Sequence, residues 1–271
     1  MKAGMGPDGS LHEGYEFRFA GVGRIFGEEG LGRIQRGRGC VVGLGGVGSW
    51  AAEALVRTGL GELQLVDFDD VCLSNSNRQI QAMSSTVGRM KVQVLKERFL
   101  DINPQVHIHA DEARLAADTM ETLLGPHALH FVIDATDGYR EKALLIHYCL
   151  QKKIPIITVG GSGGRRDPRE VRVTDLAKSH GDRLLQKTRK ELRAQYSTGQ
   201  GGKRFGVTTV FSPEHPVFPG PAGCVSRDPE QRPQLRLDCA RGFGALTMVT
   251  ATFGLFAAWA AIEALLMSEK K

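Results

Sequence analysis

From Arg38 onward the chain alternates short apolar, β-branched runs with segments whose apolar residues recur at helical spacing. Gly39–Leu44 reads as a strand and Gly46–Thr58 as an amphipathic helix; Glu62–Asp67 is a second strand and Val87–Asp101 a second helix. Gln105–His109 predicts a strand, Ala116–Leu124 a short helix, Leu129–Asp134 a strand, Tyr139–Lys152 a helix and Ile154–Val159 a strand. Strands alternating with helices at this pitch form βαβ units, which build a parallel sheet.

The grammar changes after Gly160. The run GGSGG at 160–164 is either a hinge or a backbone lining for a ligand, since glycine permits both. Asp182–Ala194 predicts a helix with Arg183, Lys187 and Lys190 on one stripe and Leu184, Leu185 and Leu192 toward another. Tyr196–Lys203 reads as a loop and Phe205–Phe211 as a strand, and the Pro-rich residues 212–233 exclude long regular structure. Ala245–Ile262 is free of charge for eighteen positions, which suits a buried or subunit-interface helix, or contact with a membrane. Its richness in Ala, Thr and Gly, and the Glu263 that follows, favour the first reading. Three parts result: a flexible polar tail at 1–14, a core at 15–160 and an extension at 161–271.

Composition adds a charge argument. The 271 residues carry a net charge of +5, and residues 165–204 hold twelve Lys or Arg against five Asp or Glu. A polyanion such as nucleic acid fits this balance, as does an ordinary solvated surface. The cysteines, Cys40, Cys72, Cys149, Cys224 and Cys239, are odd in number and form no CxxC pair, so neither a four-thiolate zinc site nor a dithiol motif is expected. The first residues lack an apolar leader segment, which predicts a cytoplasmic protein with free thiols.

The chemistry concentrates at Gly43-Leu44-Gly45-Gly46-Val47-Gly48, between a strand and a helix. Glycines there let the backbone approach phosphate, and the helix N-terminus presents unpaired N–H groups and a positive dipole end. Asp67 follows nineteen residues after Gly48, at the end of the next strand, where a carboxylate can accept from ribose hydroxyls. These features predict a Rossmann-like, doubly wound α/β fold with a mainly parallel sheet and a C-terminal α/β extension. They do not separate a dinucleotide from ATP. Arg78 and Lys91 favour a triphosphate, because two cations near the loop would neutralise charge on the α-phosphoryl group and on departing pyrophosphate. A carboxylate from the segment Ile133-Asp134-Ala135-Thr136-Asp137 would hold Mg²⁺. Taken singly, Arg78 also reads as a surface residue and Asp134 as a helix cap or local acceptor.

The combination GLGGVGSWAAEALVRTGLG, LVDFDDV, SNSNRQ, Lys91 and DATD resembles the ubiquitin-activating-enzyme-like adenylyltransferases, over roughly residues 18–160. That resemblance implies ATP bound at Gly43, Gly45, Gly46 and Gly48, with Asp67 on the ribose and Asp69 beside it. Asn75, Arg78, Gln79 and Lys91 would line the phosphates, and Asp137 would bind Mg²⁺. It further implies a homodimer in which Arg24, with Arg18 as second choice, reaches the γ-phosphate of the partner subunit's ATP. Gly138 stands where the family usually has Asn or Ser.

Three C-terminal segments, VTDLAKSHGDRLLQKTRKELR, LDCARGFGA and MVTATFG, are similar to the tRNA threonylcarbamoyladenosine dehydratase branch and extend the likeness to about residues 15–267. The branch lacks the zinc-binding CxxC pairs, as this chain does. It implies a tRNA substrate whose threonyl carboxylate is adenylated and then cyclised with release of AMP. The alternative is an adenylyltransferase acting on the C-terminus of a ubiquitin-like sulfur carrier. Cys239 would serve there as an acyl or sulfur acceptor beside Arg241; its other reading is a small residue packed beneath the GFGA turn. A monovalent cation and a sulfur-transfer protein are further candidate partners, and peripheral membrane association is the less favoured location.

Overall fold

The computed structural model describes residues 14–202, 204–220, 224–227 and 244–268. Apart from Gly14, the predicted tail lies outside the described residues, as does Cys239. The elements in chain order are α1 (Tyr15–Gln35), β1 (Arg38–Val42), α2 (Gly48–Arg57), β2 (Glu62–Val66), α3 (Lys91–Ile102), β3 (His107–Asp111), α4 (Met120–Leu124), β4 (Phe131–Asp134), α5 (Tyr139–Lys152), β5 (Ile156–Val159), β6 (Arg172–Asp175), α6 (Arg183–Tyr196) and β7 (Thr208–Phe211). A two-residue ribbon, β8 (Phe218–Pro219) with β9 (Val225–Ser226), and the helix α7 (Thr247–Ser268) complete them.

Seven strands form one sheet in the order β3-β2-β1-β4-β5-β7-β6, parallel except for β6, which runs antiparallel to β7. Both faces of the central strands are covered, so their residues alternate between two apolar layers. Val41 of β1 and Phe131 and Ile133 of β4 face the layer built with α2, α3 and α7. Cys40 and Val42 of β1 and Val132 of β4 face the layer built with α4, α5 and α6. The fold is the predicted doubly wound α/β sheet.

α7 lies in the first layer, with Val249, Phe253, Ala257 and Ala261 buried. It crosses α2 at Gly254, where a Cβ would stand 2.6 Å from the Val47 carbonyl oxygen and 2.9 Å from the Ala51 nitrogen. Only a residue without a side chain permits that approach. Thr247–Met267 is long and apolar enough to cross a membrane, and 56% of that stretch is buried against the protein itself. The opposite face leaves Leu255 and Trp259 half exposed.

Several boundaries differ from the sequence reading for identifiable reasons. α1 is a helix where the pattern shows only a segment before the first strand. Five glycines (21, 23, 27, 30 and 32) depress its propensity, and Gly27, at φ +73°, kinks it. Its ends are held on the loop after α2: the Tyr15 hydroxyl donates to Gly59 O at 2.5 Å, and Gly61 N donates to Ile34 O at 3.3 Å. α3 starts at Lys91 rather than Val87, because Gly88 adopts φ +83° and Met90 is extended. β6 was not legible as a strand, since an edge strand with exposed Arg172 and Val173 shows no buried alternation.

Gly254→Leu should force α7 from α2 and lower stability by about 3 kcal/mol. Urea unfolding monitored by circular dichroism measures it; an unchanged midpoint contradicts the close crossing.

Candidate active site

The loop from Gly43 to Gly48 leaves the C-terminal end of β1 and enters α2. A Cβ on Gly48 would collide with the Gly43 carbonyl oxygen, so the turn is built for glycine. Asp67, one residue past β2, holds the turn from the side. Its Oδ2 accepts from Leu44 N–H at 2.6 Å and its Oδ1 from Asp69 N–H at 2.8 Å. Both are charge-assisted bonds in a nearly buried place.

Lys91, the first residue of α3, brings a buried ammonium to the same point. Its Nζ lies 2.7 Å from Asp69 Oδ2 and 3.9 Å from Asp67 Oδ1. Asp69 is half exposed and Lys91 is not, so the cation is anchored from the solvent side. The third wall is the stretch 75–81. The Arg78 stem lies against Gly46, with Cγ 3.1 Å from where a Cβ would be, and its Nη1 donates to Ser74 O at 2.9 Å and to Asn77 Oδ1 at 3.0 Å. Gln79 directs its amide nitrogen toward Gly45, and Gln81 Nε2 donates to Leu44 O at 2.8 Å and to Gln79 Oε1 at 3.2 Å. Asn75 is buried and accepts from Cys72 N–H through Oδ1 at 3.1 Å, which shapes the turn that carries Arg78. The structure therefore brings together Gly43, Gly45, Gly46, Gly48, Asp67, Asp69, Asn75, Arg78, Gln79 and Lys91.

The two carboxylates of the 133–137 segment part company. Asp134 is fully buried and saturated: its Oδ2 meets Lys142 Nζ at 2.8 Å and Thr158 Oγ1 at 2.7 Å, and its Oδ1 meets Thr136 Oγ1 at 2.7 Å. Asp137 is exposed, with no side-chain partner among the described residues, in the loop that follows β4 beside the Gly43 turn. Only Asp137 retains free lone pairs for a cation.

Arg24 sits on α1, exposed and without a side-chain partner among the described residues. Arg18 is committed within the chain, donating to Ile102 O at 3.1 Å at the far end of α3. Among the described cysteines, burial pushes the thiols of Cys40 and Cys149 well up, which keeps both protonated and inert.

Three supports lie outside the residues that motif and spacing single out: Thr250, the bonds between Asn77 and the start of α7, and Lys142. Thr250 of α7 reaches Gly46, where a Cβ would stand 3.3 Å from its Cγ2. Asn77 Nδ2 donates to Ala245 O at 2.9 Å, and the Thr247 hydroxyl donates to Asn77 O. The start of α7 is thereby tied to the wall that carries Arg78; polar residues in an otherwise apolar helix were the available hint. Lys142, buried beneath the site, was unreadable among the other lysines.

Lys142→Met should leave the buried Asp134 carboxyl without its cation, at a cost of about 3–5 kcal/mol. The shift of the urea midpoint checks it; a loss below about 1 kcal/mol contradicts the pairing.

Comparison with known proteins places this geometry. The model of the ThiF family matches residues 20–271. A Haemophilus influenzae protein named tRNA threonylcarbamoyladenosine dehydratase is 43% identical over 256 residues, which are 94% of this chain and 95% of that protein. The crystal structure of the Escherichia coli tRNA N6-threonylcarbamoyladenosine dehydratase in complex with ATP superposes with a TM-score of 0.82 at 41% identity, covering 92% of this chain and 94% of the other. A Salmonella typhimurium molybdopterin-synthase adenylyltransferase is 38% identical over 135 residues, 50% of this chain and 53% of its own length.

Proposed function

The chain belongs to the ThiF family, and from that premise we propose that it is an ATP-dependent tRNA threonylcarbamoyladenosine dehydratase. One observation carries this reading over sulfur-carrier activation. Similarity to the dehydratase runs through both halves, over 94% of the chain, whereas similarity to the molybdopterin-synthase adenylyltransferase covers 50%.

The Gly43–Gly48 turn and the N-terminus of α2 receive the phosphates of ATP. Asp67 keeps lone pairs for the ribose hydroxyls beyond the two backbone bonds it already accepts. The threonyl carboxylate attacks the α-phosphorus, the α–β bond breaks, and pyrophosphate leaves with the electron pair. Arg78 and Lys91 oppose the charge that develops on these oxygens. An atom of the adjoining carbamoyl group then attacks the activated carbonyl, loses its proton and expels AMP, so the nucleoside loses one water. The nucleophile is tethered to its target, which lowers the barrier without an enzyme nucleophile; Cys239 is therefore dispensable for ring closure. Asp137 is the residue fitted to hold Mg²⁺, which when bound neutralises phosphate oxygens. Lys187 and Lys190 are exposed on α6 and suit contact with tRNA phosphates. A tRNA substrate agrees with a cytoplasmic location.

The active unit is a homodimer. Two observations support it: an apolar groove between α1 and α7, lined by Ile25, Leu255 and Trp259 among others, and the exposed Arg24 next to Ile25 in the chain, without a side-chain partner among the described residues. Two-fold pairing on this face would make the exchange of Arg24 reciprocal.

Incubation of threonylcarbamoyl-modified tRNA with the protein, ATP and Mg²⁺, followed by nucleoside mass analysis, should show loss of one water; unchanged nucleoside overturns the reading. Arg24→Ala and Asp137→Ala should each be nearly inactive alone, and equal mixing should restore about one quarter of wild-type activity through mixed dimers. Verified subunit exchange without recovery would refute the shared site.

A further inference from the structure

Beyond the nucleotide site, the glycine run after β5 opens onto a second cavity of about 580 Å³, bounded by α6, the 213–218 loop and β8. A cavity of this size holds a nucleotide rather than an ion. Among the described residues four guanidinium groups line it, those of Arg165, Arg183, Arg189 and Arg227, against one carboxylate, Asp182. Leu184, Pro216 and Phe218 supply apolar wall, and His180 stands edge-on to Phe211 with ring centroids 5.4 Å apart.

The floor is built rather than incidental. Asp182 caps α6, accepting from Leu185 N–H at 3.0 Å, and also accepts from Gly161 N–H at 2.9 Å and from Arg165 Nη2 at 3.1 Å. Arg165 is buried, spends Nη2 further on Ser212 O at 3.0 Å, and leaves Nε without a partner among the described residues. An unmet buried donor beside a cationic cavity marks a place for an acceptor. Burial draws the Arg165 guanidinium down from its ordinary value, and burial followed by Arg193 does the same to Arg189; an incoming anion relieves both.

Position gives the cavity its role. β4 ends beside the Gly43 turn, and β5, its neighbour, ends at the cavity. Two strand spacings, about 10 Å, separate β1 from β5, a span suited to a purine carrying a threonylcarbamoyl arm. Resting on the tRNA reading above, we propose that this cavity receives the modified nucleotide of the tRNA. The purine lies on the Leu184–Phe218 wall, the adjoining phosphates meet Arg183, Arg189 and Arg227, and the arm carries its carboxylate toward the α-phosphate of ATP. Recognition of an unstacked base by apolar wall and guanidinium groups follows general practice for RNA.

Two variants test this, each on the full-length protein. Gln186→Trp fills the cavity from exposed α6 without altering charge, and Arg183→Gln with Arg227→Gln removes rim cations while leaving the buried Arg165–Asp182 pair. Each should lower kcat/KM for modified tRNA about ten- to a hundredfold, with ATP affinity and melting temperature unchanged. Wild-type turnover in both variants overturns the cavity assignment while leaving the dehydratase reading intact. An equal fall in ATP affinity also overturns it, by assigning these residues to the nucleotide site. Failure of the wild-type protein itself to dehydrate modified tRNA removes the function reading and this inference together.

Discussion

The site depends on one hydrogen bond above others: the Asp67 carboxylate receiving Leu44 N–H at 2.6 Å. It joins the end of β2 to the first turn after β1 and so fixes where the glycine loop stands. The same carboxylate accepts from Asp69 N–H and lies 3.9 Å from Lys91 Nζ, so one buried negative charge orients the loop, the Asp69 turn and the cation at the head of α3. Such a group in a sparsely hydrated place gives directional bonds that water competes for poorly. Arg78 and Gln79 then close over a loop that is already positioned.

A second constraint links the two halves of the chain. α7 comes from the far end of the sequence yet packs in the same apolar layer as α2 and α3. Its first residues bond Asn77, and Thr250 reaches Gly46. Whatever the C-terminal half binds is thereby mechanically connected to the wall that carries Arg78. The antiparallel β6 extends the sheet at the edge opposite β3, and the basic α6 packs in the other apolar layer and lines the arginine-rich cavity.

How much of this was legible differs from element to element. Tyr139–Lys152 was read to the residue, because its apolar period is strong and it lies between two buried strands. The glycine loop and Asp67 were legible because phosphate binding restricts residue type and spacing together. α1 was not: its glycines hide the helical period, and its ends are held by contacts with residues 59–61, far away in sequence. β6 was hidden by exposure. The division of labour between Asp134 and Asp137 was legible only through the family resemblance, which puts Mg²⁺ on Asp137; by residue type alone, two aspartates three residues apart look alike until Lys142 and Thr158 are seen to saturate one of them. Propensity and spacing disclose local geometry, whereas a side chain's partners across the sheet emerge only from packing.

Asp67 organises the glycine loop rather than merely ending a strand. Calorimetric titration of Asp67→Asn with ATP and Mg²⁺ tests this most directly. The amide has one acceptor oxygen where the carboxylate has two, and it lacks the charge that faces Lys91. The ATP dissociation constant should rise about tenfold or more, in a protein that still unfolds cooperatively. Wild-type ATP affinity in that variant would contradict this role of Asp67.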